Sequence, residues 1–270
     1  MRWSVYILYL IIVINKHAGG EYSWMIYGAK VVMSGHVVEI YEYERDIKTG
    51  KDNKDGSKSV GRAGKGANEE DREKNREIVL SRAKREVRRL INSNVDAWGE
   101  KPKFFTLTFA ENVTDIKWAN NEFKKFRQRL SRHIWGCPNN LKYVAVIEFQ
   151  KRGAVHYHVV AFNMPYVPHA DLERIWGHGF VHIRAIDDCD NVGAYVTKYM
   201  TKDCDDERLR EQKCYFSSRG LAKPVEEIIE KEDLDALRVA LSPNKTFEKE
   251  FESEYVGKVS YQQYNLKRRL

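Results

Sequence analysis

The chain has 270 residues and a mass of 31.6 kDa, which is long enough to bury a sizeable core in one or two domains. Hydrophobic residues make up 42% of it and the formal net charge is +7, so the composition excludes a disordered chain and favours phosphate-rich partners, either nucleic acid or anionic lipid. Its cysteines are scattered without a C-x-x-C pair, which argues against a disulfide scaffold and a structural zinc site and fits a reducing compartment.

The first part of the chain is an apolar stretch. Residues 3–14 are almost wholly apolar and lead into a Lys-His-Ala-Gly-Gly sequence. This stretch is shorter than the roughly 20 apolar residues that span a bilayer, so we expect no stable membrane association. It also has the length of a secretory signal. The interpretation that we favour is a nonessential extension over residues 1–24, with Met25 as an alternative start.

Residues 25–100 are expected to hold a hairpin, a basic linker and a helix. Two apolar runs, residues 31–32 and 37–43, flank a Ser-Gly pair, which predicts a β-hairpin. Residues 45–68 are rich in Gly and Lys and predict a flexible linker. The linker lacks the G-x-x-x-x-G-K-[ST] spacing, so we expect no helicase or ATPase module. Residues 69–92 begin acidic and end basic, as a helix macrodipole favours.

A strand and an amphipathic helix are predicted next. Residues 103–109 alternate and are β-branched or aromatic, which predicts a strand, and residues 115–134 carry apolar side chains at helical spacing. The other side of this helix is basic. A solvated charged face is one interpretation of it, and contact with DNA through Lys124, Arg127 and Arg129 is the other.

The most informative pattern is a pair of predicted strands, residues 141–150 and 154–162, that are separated by three residues. A three-residue hairpin loop needs a residue in the left-handed conformation, and Gly153 supplies it. The strands then pair with Gln150 opposite Ala154. The loop therefore fixes the register of the hairpin.

In this register Glu148 lies opposite His156, and His158 lies two residues further along the same face. Directly opposed residues have Cβ atoms about 4.5–5.5 Å apart, so one carboxylate and two imidazoles converge. This donor set suits Mg²⁺ or Mn²⁺ acting on phosphate, and it also binds Zn²⁺. Ordinary strand histidines with hydrogen-bonded rings are the alternative.

The remaining predicted elements alternate between helices and strands, at residues 169–176, 180–186, 190–202, 214–221, 224–241 and 247–264. Only the last of these ranges is expected to hold more than one strand. His178 and His182 are interpreted as a loop and a strand residue, with a supporting role at the metal site as the alternative.

The helix that is predicted to run to Lys202 contains Tyr-x-x-Lys twice. Tyr195 and Tyr199 share one face of it, and Lys198 and Lys202 form a neighbouring row. A phenol with its ordinary pKa of about 10 is a poor nucleophile, but a neighbouring cation lowers that pKa and neutralises a pentavalent phosphate. A metal facing such phenols suggests an enzyme that breaks and rejoins a phosphodiester bond. Tyrosines packed half-buried on the sheet are the alternative.

Three motifs, taken in this order, resemble those of rolling-circle replication initiators (Rep proteins) of phages and plasmids, members of the HUH endonuclease superfamily. The first is FFTLTF at residues 104–109, and the second is Glu148 with His-Tyr-His at residues 156–158. The third, YVTKYMTK at residues 195–202, is similar to the two-tyrosine motif of phage-type initiators. An isolated H-x-H is a weak signal, whereas the ordered trio is specific.

The resemblance implies an α+β fold in which a central antiparallel sheet, with a ferredoxin- or RRM-like core, is flanked by helices. It covers residues 101–221, which we expect to form the nicking and joining core. Residues 25–100 would then form a separate N-terminal segment. The sequence assigns no chemistry to residues 1–24 or to residues 222–270, where a helix and strands are expected.

The resemblance also implies metal-dependent, sequence-specific nicking of single-stranded DNA at a replication origin, leaving a 5′-phosphotyrosine and a free 3′-OH that primes synthesis. Glu148, His156 and His158 would hold the Mg²⁺ or Mn²⁺. Related single-tyrosine plasmid initiators have an acidic residue in the place of Tyr195. Tyr199 is therefore expected to initiate and Tyr195 to terminate or transfer the strand, with the reverse order as the alternative. The implied partners are origin DNA and the helicase and polymerase of a host cell, in its cytoplasm.

Two other functions remain open at this stage. A relaxase or a transposase would use the same chemistry, but a relaxase normally has its nucleophile before the histidines, and the two tyrosines argue against a single-tyrosine transposase. A basic origin-binding protein with structural histidines is the alternative that is not an enzyme.

Overall fold

The computed structural model describes four stretches of the chain, residues 24–50, 68–186, 189–200 and 213–268. They form two compact units, which are divided at residues 59/60 and 223/224. One unit joins the segment before the first division to the segment after the second, and the other unit lies between them in sequence. These divisions differ from the expected segments, since the N-terminal hairpin and the helix at 69–92 fall in different units. The expected extension (except Trp24) and linker residues 51–67 lie outside the described residues.

The unit formed by the two outer segments is an antiparallel sheet with a helix. Its described elements are β1 (Trp24–Ser34), β2 (Val37–Gly50), β8 (Val225–Ile229), α5 (Lys231–Leu241), β9 (Lys245–Ser253) and β10 (Gly257–Asn265). The strand order is β8-β1-β2-β10-β9. Leu234, Leu237 and Leu241 of α5 belong to an apolar cluster with residues of β1 and β2.

The predicted N-terminal hairpin and C-terminal strands are confirmed by β1, β2, β9 and β10. The helix predicted over residues 224–241 is wrong in its first part. Val225–Ile229 is strand β8, which pairs antiparallel with β1. The hydrogen bonds that an edge of β1 offers override the local helical pattern.

The other unit is a second antiparallel sheet with helices. Its described strands are β3 (Lys103–Thr108), β4 (Tyr143–Phe149), β5 (Val155–Ala161), β6 (Val181–Ala185) and β7 (Tyr215–Ser217), in the order β6-β3-β5-β4-β7. Its described helices are α1 (Glu69–Asn92), α2 (Ile116–Trp135), α3 (His169–Trp176) and α4 (Val192–Thr197), and a 3₁₀ turn (Lys198–Met200) follows α4. The predicted α+β class, with antiparallel sheet flanked by helices, is confirmed. None of the described helices has the length and apolarity needed to cross a bilayer.

Helices α2 and α3 cover one face of this second sheet. Phe123, Phe126 and Leu130 of α2 are buried in one apolar cluster with inward residues of β3, β4 and β5, such as Tyr157. Asp115 caps the helix, because its side chain accepts hydrogen bonds from the first-turn amides. The predicted amphipathic helix is therefore confirmed, shifted by one residue at each end. We refer to this side of the sheet as the α2 face.

Helices α1 and α4 cover the opposite face, which we call the α4 face. Val87 and Ile91 of α1, with Val192 and Val196 of α4, are buried against residues of β3, β4 and β5 such as Phe104. Side chains alternate along a strand, so the residues between the α2-face residues point to this second cluster. Each central strand therefore supplies both faces.

The start of α4 is fixed to the end of α1 by a buried asparagine. The Asn92 amide donates to Asn191 Oδ1 at 3.0 Å, and its oxygen accepts from the Gly193 N–H at 2.9 Å. Gly193 is needed for this close approach, because a Cβ there would lie 2.3 Å from the Arg88 carbonyl oxygen. The position of α4 on the sheet thus depends on a residue without a side chain.

We expect Gly193→Ala to lower the free energy of unfolding by about 1–3 kcal/mol, because the added methyl group overpacks the contact between α1 and α4. Urea unfolding followed by circular dichroism measures this change. Ser81→Thr adds a methyl group on the exposed side of α1 and serves as the control. Equal stabilities of the two variants would contradict the role given to Gly193.

Candidate metal and nucleophile site

The β4–β5 hairpin has the register that the sequence predicts. Glu148 pairs with His156, the Gln150 amide donates to the Ala154 carbonyl at 2.9 Å, and Gly153 has a φ of 87°. His158 follows His156 on the same face of β5. One potential ligand atom from each of Glu148, His156 and His158 lies within 4.8 Å of the others. The predicted convergence of these three groups is confirmed.

The hairpin loop is clamped to the end of β3 by Arg152. Its guanidinium donates to the Phe109 carbonyl at 2.8 Å and to the Ala110 carbonyl at 3.3 Å, and its Nε donates to Gln150 Oε1 at 2.8 Å. Sequence reasoning did not single out this arginine, because its acceptors are backbone atoms about forty residues earlier. The clamp holds the turn that sets the register of the triad.

The two histidines have different surroundings. His158 is 5% exposed, its Nε2 is hydrogen bonded to Glu148 Oε2, and its Nδ1 lies 3.0 Å from Thr106 Oγ1. His156 Nε2 is buried and finds no hydrogen-bond partner among the described residues. Burial, followed by the neighbouring His158, lowers the pKa of His156 to about 4, although Glu148 acts in the opposite direction. His156 therefore presents a neutral ring with an unused nitrogen.

This donor set fits a divalent cation. A metal needs neutral imidazole nitrogens and an ionised carboxylate, and the triad supplies both beside a buried nitrogen that is otherwise unsatisfied. Thr106 can accept the Nδ1–H of His158, which leaves the Nε2 lone pair for the metal. The triad is thus a candidate metal site, and its donors bind Mn²⁺, Mg²⁺ or Zn²⁺.

The two tyrosines lie beside this triad. The Tyr199 ring stacks on the His158 ring with centroids 3.9 Å apart and an interplanar angle of 21°. The hydroxyl groups of Tyr195 and Tyr199 are hydrogen bonded at 2.7 Å. The predicted shared face is therefore confirmed, although Tyr199 belongs to the 3₁₀ turn and not to α4. Both phenols and the three candidate ligands form one continuous site on the α4 face.

Two cations lie close to Tyr195. Lys198 Nζ is 5.9 Å from the centroid of the Tyr195 ring, and the Arg184 guanidinium carbon is 4.9 Å from it. Arg184 also lies over Phe104, its partner in the pairing of β6 with β3. Sequence reasoning missed Arg184, because only the long-range pairing of these strands reveals its neighbours. Lys202, the other predicted cation, lies outside the described residues.

The basic residues of α2 are not brought to this site. Helix α2 covers the opposite face of the sheet, and Arg129 donates to the carbonyls of Ile175 and Trp176 at 3.0 and 3.2 Å. Arg127 donates to Asn139, and Lys124 is exposed. Contact of these three residues with DNA stays a prediction, and it would require DNA on the α2 face.

The second pair of histidines is divided between the two faces. His178 lies 3.0 Å from Glu122 and packs on Trp118 and Trp176 of the α2 face. Its contacts there fit a structural role. Hydrogen bonds from Lys125 and then from His178 hold the pKa of Glu122 below its ordinary value, against the effect of its burial. His182 is exposed and pairs with Thr106, so it shares the face of the triad.

Comparison with known proteins supports a role in replication. Residues 102–204 match the family model of the replication-associated protein ORF2. The matched segment contains the triad, both tyrosines and Arg184. No curated protein and no solved structure matches the chain. The match supports a replication initiator of the Rep class and, at a coarse level, a nuclease that acts on DNA.

Thr106 offers a test of the metal site that does not depend on catalysis. We expect Thr106→Val to weaken Mn²⁺ binding by about 10- to 100-fold, because it removes the oxygen that orients His158 while keeping the shape of the side chain. Isothermal titration calorimetry of the folded protein measures the affinity. Thr106→Ser keeps the oxygen and is the matched control. Wild-type affinity in the valine variant would show that Thr106 does not position the ligand.

Proposed function

We propose that this protein initiates rolling-circle replication by metal-dependent, sequence-specific nicking and joining of single-stranded DNA at an origin. The observation that carries the proposal is the stacking of Tyr199 on His158, one of three candidate metal ligands. A nucleophile and a cation site on the same face suit a transfer reaction at phosphorus. The similarity to a replication-associated family supports the biological role.

In the proposed reaction, the Tyr199 oxygen attacks the scissile phosphorus and the bond from phosphorus to the 3′ oxygen breaks. The products are a 5′-phosphotyrosine and a 3′-OH, which takes up a proton and can prime a polymerase. A Mg²⁺ or Mn²⁺ held by Glu148, His156 and His158 would polarise the phosphate as a Lewis acid. Because the tyrosine ester conserves the energy of the broken bond, attack by a 3′-OH can rejoin the strand without ATP.

The surroundings of the two phenols support an initiating role for Tyr199. Its ring contacts a candidate ligand directly, whereas Tyr195 reaches the triad only through the Tyr199 hydroxyl. When Tyr199 loses its proton, the Tyr195 O–H can donate to the phenolate and stabilise it. Arg184 and Lys198 beside Tyr195 add positive charge where the phosphate becomes more negative. Tyr195 would then attack in the second transfer.

The reaction itself is tested with labelled single-stranded origin DNA and Mn²⁺. We expect a covalent adduct that disappears when a chelator is added. His156→Ala and His158→Ala should reduce adduct formation below detection while largely sparing DNA affinity, because the ligands serve the reaction step. Retardation of the DNA by the wild type without any adduct would instead favour an origin-binding protein that is not an enzyme.

The tyrosine roles are tested separately. Tyr199→Phe should prevent the first adduct. Tyr195→Phe should still form it, about tenfold more slowly, because one hydrogen bond to a charged group contributes about 1.5 kcal/mol, and should block the second transfer. Mass spectrometry of the adduct peptide identifies the linked residue. DNA attached to any residue other than Tyr199 in the first step would overturn this assignment.

A further inference from the structure

Three side chains form a continuous stripe along the outer strand of the second sheet. His182 pairs with Thr106 and Arg184 pairs with Phe104 in the β6–β3 register. The Thr108 N–H donates to the Phe180 carbonyl at 2.9 Å, so Phe180 continues the same alternation one step before β6. We call Phe180, His182 and Arg184 the β6 stripe. All three residues share the face that carries the triad.

The β6 stripe is exposed although its neighbours in sequence are packed. Phe180 is 69% exposed, and His182 and Arg184 are also exposed, whereas Val181 is buried in the α2-face core. In the part of the sheet that the structure describes, β6 is the outer strand. A large exposed aromatic side chain in line with two polar ones marks a surface for a ligand more often than it stabilises a fold.

The backbone before β6 holds Phe180 firmly in place. Gly179 has a φ of +147°, and a Cβ there would come 2.5 Å from the Thr108 carbonyl oxygen. The Ala110 N–H also donates to the His178 carbonyl at 2.8 Å. The segment is therefore pressed against the end of β3, and the Phe180 ring is presented from a fixed position. A fixed ring loses little entropy when a ligand stacks on it.

The other end of the stripe reaches the nucleophiles. Arg184 lies over the ring of Tyr195, and Tyr195 is hydrogen bonded to Tyr199. A phosphodiester strand that enters the site at Tyr199 therefore meets the stripe next. Residues two apart on a strand are about 6.8 Å apart, which is on the scale of one nucleotide of an extended strand.

We propose that the β6 stripe binds the nucleotides of single-stranded DNA that flank the scissile phosphate. Phe180 stacks on a base, Arg184 pairs with a phosphate, and His182 donates a hydrogen bond between them. This assignment rests on the proposed nicking function. Aromatic rings alternating with cationic or donor groups are the surface that single strands bind, because every base has a face for stacking and every linkage carries a negative charge.

The test measures affinity of the full chain for a fluorescein-labelled oligothymidylate by fluorescence anisotropy, without metal, so that no cleavage intervenes. Phe180→Ala should raise the Kd by about 5- to 150-fold, the loss expected for one stacked base. Arg184→Gln should also raise the Kd and reduce the dependence of log Kd on log salt by about one phosphate contact. Phe180→Trp should restore binding, which separates loss of stacking from loss of folding.

Two variants serve as matched controls. Tyr166→Ala removes another aromatic ring, 83% exposed, from the connection that leads to α3, and Arg174→Gln removes an exposed cation from α3 on the α2 face. Both should bind like the wild type. Stripe variants that bind as tightly as these controls, or a wild type that does not bind the probe, would overturn the stripe.

The proposed nicking function is judged on the same preparations by the adduct assay. If the wild type forms the adduct and the stripe variants bind normally, the stripe is wrong and the nicking function stands. If the wild type forms no adduct but Phe180→Ala and Arg184→Gln lose affinity relative to their controls, the nicking function fails and the stripe still binds single-stranded DNA.

Discussion

The candidate site depends on the pairing of β4 with β5. The three-residue loop, with Gly153 in the left-handed conformation, sets Glu148 opposite His156. A slip of one residue would turn the carboxylate into the apolar core on the α2 face and an apolar side chain into the site. Arg152 opposes such a slip, because it ties the loop to backbone carbonyls beyond the end of β3. Metal ligation, the stacking of Tyr199 and the approach of DNA all require this register.

How much the sequence predicts follows from how far apart the interacting residues are. The hairpin and its triad are local, so turn chemistry and alternation were enough to predict them. Thr106 binds His158 across 52 positions, and Glu122 meets His178 across 56, so neither contact has a local signal. Arg184 was missed for the same reason. Strand β8 was predicted as helix, since its partner β1 lies at the other end of the chain.

Charge patterning gave the least certain prediction. The basic side of α2 is real, but a helical pattern does not tell which face of a sheet the helix covers. Here α2 lies on the side away from the tyrosines, and part of its charge is used within the fold, as Arg129 caps the carbonyls at the end of α3. The cations nearest to the phenols come instead from β6 and from the turn after α4. Proximity to the reacting groups, and not the number of like charges, distinguishes them.

The alternation along β5 divides the work of one strand between two purposes. Tyr157 and Val159 are fully buried on the α2 face, while His156 and His158, in alternation with them, carry the candidate ligands on the other. Selection for a well-packed interior and selection for a particular reaction therefore act on interleaved positions that share a backbone but not an environment. Such a strand can change its DNA target or its ion through one set of side chains, while the other set keeps the domain folded.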